Sequence, residues 1–138
     1  MDRHAESFRT NLELWNAWTR INAASASYDV ASFVDGTRPI RLADYEIAEL
    51  GDVAGRSLLH LQCHFGLDTL SWARLGARVT GADFSPAAIE LAGAIAAQVG
   101  LEARFVCANL YDLPTTLEGE FDLVYTSRGV LGWVPDIR

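Results

Sequence analysis

Apolar and polar positions divide this chain into short runs that repeat strand, turn and helix. Leu58, Leu59 and Leu61 form one apolar run, Gly66 stands where a turn opens into a helix, and residues 77–82 form a second run ending at Asp83. Residues 58–83 thus read as strand, tight turn, helix, strand and terminal acid. A right-handed crossover brings both strand ends to one edge of a parallel sheet, so the turn at residues 62–66 and Asp83 are expected to line one crevice.

Ahead of this unit, Phe8, Leu12, Trp15 and Ala23 recur at helical spacing, with Leu14, Trp18 and Ile21 widening the face, which predicts a helix over residues 6–24. Trp15 and Trp18 share that face and have two readings, an anchor on the body or part of a lid. Residues 25–42, with breaks at Asp35-Gly36 and Arg38-Pro39, read as an irregular or partly helical connector containing Tyr28. A second helix is expected over residues 42–50, stopped by Gly51. After the first strand, Leu67, Leu70 and Ala73 or Arg74 mark a helix closed by Gly76. After the second, Ser85 is placed to cap and Pro86 to open a helix that ends at Gly100. A third strand at residues 103–108 leads to Asn109, Asp112 and Pro114, and a fourth at residues 121–126 leads to Ser127, Arg128 and Gly129. Strands alternating with helices predict a doubly wound α/β sheet with an N-terminal helical extension. The division falls at residues 1–54, packing on or over the crevice, and 55–138, the sheet.

Composition narrows the partners. The 138 residues suffice for one domain with a real core, and 50% of them are hydrophobic. A formal charge of −7 leaves no basic stripe for a phosphate backbone or an anionic membrane, so neither nucleic acid nor membrane is expected as a partner. Cys63 and Cys107 are the only cysteines and show no disulfide framework and no metal-ligand spacing. Together with the charged N-terminus and the absence of a long apolar run, this predicts a cytoplasmic protein without a metal.

The crevice has a chemistry of its own. Gly66 allows close approach of backbone to a ligand, and the helix after it offers free N–H groups to a carboxylate or phosphate. Asp83, as an ionised carboxylate, can accept from both hydroxyls of a ribose. Phe84 offers an apolar face to a purine, and Asn109 offers a donor and an acceptor for an exocyclic amine and a ring nitrogen. Each also has a plainer role: a capping acid, a core ring and a turn former. Their placement at consecutive strand ends favours an adenosine pocket.

The segments HLQCHFG, LSWARLGARVTGADFSPAAIELA, FVCANLYDLP and FDLVYTSRGVLGWVPD resemble the class I methyltransferases that use S-adenosylmethionine, over residues 55–138. The resemblance implies a Rossmann-like sheet of order 3-2-1-4, with about four strands present. Asp83 then takes the ribose position, Phe84 borders the adenine, and Asn109 stands where an adenine-contacting acid is usual, with Leu113-Pro114 closing that motif. The implied cofactor set is Gln62, Cys63, Gly66, Asp83, Phe84, Asn109, Leu110 and Ser127. Trp15, Tyr28, His64, Arg128 and Trp133 are the candidates for substrate contact or a lid. His60 occupies the family's acidic position, and Gln62 and His64 replace the first two glycines of its G-x-G-x-G turn. Two such side chains either fill space over the methionyl end or force a different turn. His64 has a second reading as a general base, His4 and His60 read as structural, and Asp68 suits the helix dipole at its N-terminus.

The expected function is S-adenosylmethionine-dependent methyl transfer to an unidentified, small-molecule acceptor. A non-catalytic or incomplete cofactor domain is the first alternative, because the family's sheet continues through three further strands. In that case another copy or a missing C-terminal portion covers the edge of the fourth strand. A nicotinamide-dependent oxidoreductase is the second, although its G-x-G-x-x-G turn is absent.

Overall fold

The computed structural model describes residues 4–137; the outer limits of the two predicted segments, Met1 and Arg138, lie outside them. The elements run α1 (Ala5–Ala23), α2 (Val30–Val34), α3 (Asp44–Leu50), β1 (Ser57–Leu61), α4 (Leu67–Arg74), β2 (Arg78–Asp83), α5 (Pro86–Val99), β3 (Ala103–Cys107), α6 (Leu113–Thr116) and β4 (Leu123–Thr126). Short 3-10 turns at Leu110–Asp112 and Leu131–Trp133 follow β3 and β4. All four strands are parallel and lie in the order β3-β2-β1-β4, as the resemblance implies.

Local chemistry sets the boundaries. Ser85 Oγ accepts from Ala88 N at 3.2 Å and Pro86 occupies the first turn of α5, while Gly100 ends it in the left-handed region at φ 69°. α3 starts at Asp44, two residues later than its apolar pattern, because Glu46 reaches back to accept from Ala43 N at 2.7 Å. β4 begins at Leu123 and not at Phe121. Asp122 Oδ2 accepts from Ser57 N at 2.8 Å, and Asp122 N donates to Ser57 Oγ at 2.8 Å, so side chains replace the ladder there.

Successive residues of β1 face opposite sides of the sheet. Leu58 joins Val53, Trp72, Val79 and Tyr125 on the side covered by α3 and α4. Phe33, Phe65, Leu70 and Ile95 continue that layer toward α2 and α5. Leu59 and Ala82 face the other way and meet a thin cover of Leu113 on α6 with Leu110, Leu117 and Phe121 from the flanking segments. Val124, the register partner of Leu59 on β4, is 63% exposed on that same side. α1 packs on α5, and Ser85 Oγ ties the two by donating to Asn16 Oδ1 at 2.6 Å. This bond carries α1 across the carboxyl ends of the strands, where the ligand crevice of such a sheet lies.

Candidate active site

The turn after β1 settles how the chain manages without two glycines. Gln62 and His64 lie in the left-handed region at φ 54° and 52°, and Gly66 follows at φ 82°. The glycine-type turn is therefore kept, and the two side chains bear a cost of about 1 kcal/mol each for adopting it. Gly66 has a further reason to lack a side chain, since a Cβ there would come within 2.9 Å of the Phe105 ring. Cys63 N donates to Ala82 O at 3.0 Å and fastens the turn to the end of β2.

Asp83 closes β2 and is 8% exposed. Its Oδ2 accepts from His64 N and its Oδ1 from Ser85 N, both at 2.9 Å. Burial pushes its carboxyl above the usual range, and the backbone N–H groups of Ser85, His64 and Phe84 hold it back toward ionisation. The strained turn thus delivers its N–H directly to the acid at the neighbouring strand end.

Gln62 and His64 project between two clefts and line both. The first is mainly apolar and holds about 630 Å³ of space, counting its open mouth. Asp83, Phe84, Asn109 and Leu110 line it from the strand ends, with Trp15 and Trp133 from above. Asn109 Oδ1 accepts from Tyr111 N at 3.1 Å, so the turn-forming role coexists with its position in the cleft. The second cleft is larger, about 1300 Å³ measured in the same way, and polar. Tyr28, Cys63, Gly66, Ser127 and Arg128 line it, together with His60, Arg41 and Asp68. Every residue of the two candidate sets therefore borders one of these clefts.

The aromatic residues of α1 roof the boundary. Trp15 lies edge-on to Trp18 and to Trp133, each at 5.2 Å between ring centroids, and to His64 at 5.1 Å. Tyr28 stands 5.7 Å from His64, and Asn22 Nδ2 donates to His64 Nε2 at 3.2 Å. Trp15 lines the first cleft, whereas Trp18 borders neither cleft and packs on Trp15 and Trp133.

The protonation states separate the acids from the bases. Burial lowers His64 to about 4 and His60 to about 3, so both rings are neutral near pH 7. A ring at about 4 is a poor proton acceptor, which weighs against the general-base reading of His64. His60 bonds Thr69 Oγ1 through Nδ1 at 2.7 Å, while its buried Nε2 has no partner among the described residues. Asp68 is pushed up to about 6 by burial and then by Glu46, against the pull of Arg128 and Arg41.

Arg41, Phe8 and Tyr111 border the clefts but were not singled out from the sequence. The Arg41 side chain is only 7% exposed; one guanidinium nitrogen donates to Asp29 O and Ser32 Oγ, and the buried Nε has no partner among the described residues. Its one sequence signal was a cation directly before the apolar start of the second predicted helix. Among the described residues no group of three acids, histidines or cysteines could hold a metal, and no helix is long and apolar enough to cross a membrane.

Residues 58–138 match the family described as "Methyltransferase domain". The chain belongs to that family. The methyltransferase domain is 38% identical over 98 residues to a ubiquinone biosynthesis O-methyltransferase of Alkalilimnicola ehrlichii, an alignment covering 71% of this chain and 39% of that protein. A protein of the same description from Xanthomonas oryzae pv. oryzae is 37% identical, with 71% and 40% covered. This chain therefore spans about two fifths of the length of these curated relatives. Among solved structures, one described by the conversion of a disulfide bond into a thioacetal group during echinomycin biosynthesis aligns with a TM-score of 0.53 and 38% identity, over 60% of this chain and 35% of that one. A T. thermophilus 16S rRNA methyltransferase in complex with AdoMet and guanosine aligns with a TM-score of 0.53 and 30% identity, over 59% of this chain and 22% of that one. Family membership takes the place of the nicotinamide-dependent alternative.

Proposed function

We propose that this domain binds S-adenosylmethionine across the boundary of the two clefts and serves methyl transfer to a small-molecule acceptor. The observation that carries this reading is Asp83, a buried carboxylate fixed by two N–H groups at the strand edge, with Phe84 and Asn109 beside it on the apolar cleft. The donor set suits the cofactor. Asp83 can accept from a ribose diol, Phe84 can lie against a purine, and the Asn109 amide can donate to a ring nitrogen. On the polar side, the Arg41 guanidinium borders the cleft and its charge suits the methionyl carboxylate.

When bound, S-adenosylmethionine supplies a methyl carbon already activated by its sulfonium. The work of the protein is then to align and to exclude water. Gln62 and His64 separate the adenosine side from the methionyl side, and Trp15 and Trp133 close the crevice from above. Asp83, Phe84, Asn109 and Arg41 would hold the cofactor, which would supply a methyl group to an acceptor aligned with it. Residues 4–54 serve as the cover of this site, and Tyr28, Arg128 and Trp133 border the path by which an acceptor reaches it. The O-methyltransferase relatives support a small-molecule acceptor.

Calorimetric titration with S-adenosylmethionine tests the core of the proposal. Asp83→Asn, which keeps the shape and removes the charge, is expected to weaken binding about tenfold or more. Circular dichroism checks that the variant stays folded. Unchanged affinity in a folded variant would overturn the assignment of the adenosine side.

A further inference from the structure

The polar cleft collects positive charge. Three of the chain's eleven basic residues, Arg38, Arg41 and Arg128, line it, although the protein as a whole carries a formal charge of −7. Arg38 stands near enough to Arg41 for its charge to disfavour the second cation, next to burial as the first cause. Asp29 lies 4.0 Å from each of the two guanidinium groups and offsets part of this. Among the described residues, Asp68 is the only acid lining the cleft, and the two histidines there are neutral near pH 7.

These charges have unequal duties in the site just proposed, on which this inference rests. Arg41 is buried, one of its nitrogens is committed to Asp29 O and Ser32 Oγ, and its charge is assigned to the methionyl carboxylate in that site. Arg38 is 62% exposed and Arg128 is exposed, so both can swing toward a ligand entering at the mouth. The methionyl end brings one charge of each sign, and the sulfonium adds a further positive one. Positive charge then exceeds negative charge around the acceptor position, in a recess where the field is focused by low-dielectric walls.

We propose that the methyl acceptor is a small organic anion whose acid group is held by Arg38 and Arg128 at the mouth of the polar cleft. Guanidinium groups present paired N–H donors that match a carboxylate or a phosphate. An acid group there also balances the charge that the sulfonium brings in. An acidic surface elsewhere repels such a molecule, which makes the cleft mouth the favoured point of entry.

The full chain, loaded with S-adenosylhomocysteine, is titrated calorimetrically with benzoate, with phenyl phosphate and with neutral benzamide. The expected result is binding of at least one of the two acids at about millimolar strength, weakened by added salt, with benzamide at least about tenfold weaker. Arg38→Gln combined with Arg128→Gln should weaken the bound acid about tenfold. Preference for benzoate over phenyl phosphate, or the reverse, tells carboxylate from phosphate recognition. Benzamide binding as tightly as the acids, no acid binding at about 20 mM, or acid binding that survives the double substitution would each overturn the proposal. Failure of S-adenosylhomocysteine itself to bind is a separate result, and it overturns the cofactor reading underneath.

Discussion

At the scale of single residues, the turn at 62–66 shows a backbone conformation outlasting the residue type that favours it. Gln62 gains little in return for its positive φ: its one hydrogen bond, Nε2 to Val130 O, is long at 3.4 Å. Gln62→Gly should therefore raise stability by only about 0.5 kcal/mol in chemical denaturation, since the relief of about 1 kcal/mol of strain is partly offset by the added entropy of glycine in the unfolded chain. His64 differs, because its ring packs against Trp15, Tyr28 and Phe65 and receives Asn22. Glycine at 64 would relieve the same strain and cut the cover loose from the turn. The departure at 62 is thus dispensable for folding, while that at 64 binds two parts of the molecule together.

At the scale of elements, Ser85 does two jobs with one hydroxyl. It accepts from Ala88 N as the cap of α5 and donates to Asn16 Oδ1 of α1. Ser85→Ala should cost about 1–2 kcal/mol, and a double-mutant cycle with Asn16→Ala should return a coupling of about 1 kcal/mol. Additive effects would mean that the cap alone matters. Element positions were legible where the signals are local. Ser85-Pro86 and Gly100 bracket α5, and Gly66 and Gly76 bracket α4, because caps and turns are decided within a few residues. The positions of Asp83, Phe84 and Asn109 at strand ends bordering a cleft were legible for the same reason, given the topology of the crossover. The docking of α1 was not, since its fixing bonds join residues 69 and 42 positions apart, Asn16 to Ser85 and Asn22 to His64. Arg41 escaped because a lone arginine in a connector looks like a solvated charge, and only the fold buries it.

At the scale of the whole molecule, buried titratable groups on the crevice make stability depend on pH in opposing directions. His60 and His64 stay neutral in the folded state down to about 3 and about 4, whereas the unfolded chain binds those protons below about 6.5. Their contribution is present above that value and is lost as pH falls. Asp68 has the opposite sign: raised to about 6, it binds its proton more readily when folded, so its contribution is present at low pH and lost as pH rises through about 6. Between about pH 6 and pH 4 the two effects oppose, each on the order of 1 kcal/mol per pH unit. Denaturation curves across that window should fall more steeply with acid in Asp68→Asn and more gently in His60→Gln. Parallel curves for all three proteins would show that these groups do not set the acid response.

The roof over the crevice also gives the molecule an optical property. Trp15, Trp18 and Trp133 stand edge-to-face within 5.2–6.0 Å of one another, two on α1 and one on the turn after β4. Indoles at that spacing couple their electronic transitions, and three of the chain's four tryptophans belong to the cluster. Lifting α1 away from the strand ends would uncouple them and wet their rings at the same moment. The near-ultraviolet dichroism and the emission colour of the unlabelled protein would therefore report any displacement of α1 from the strand ends.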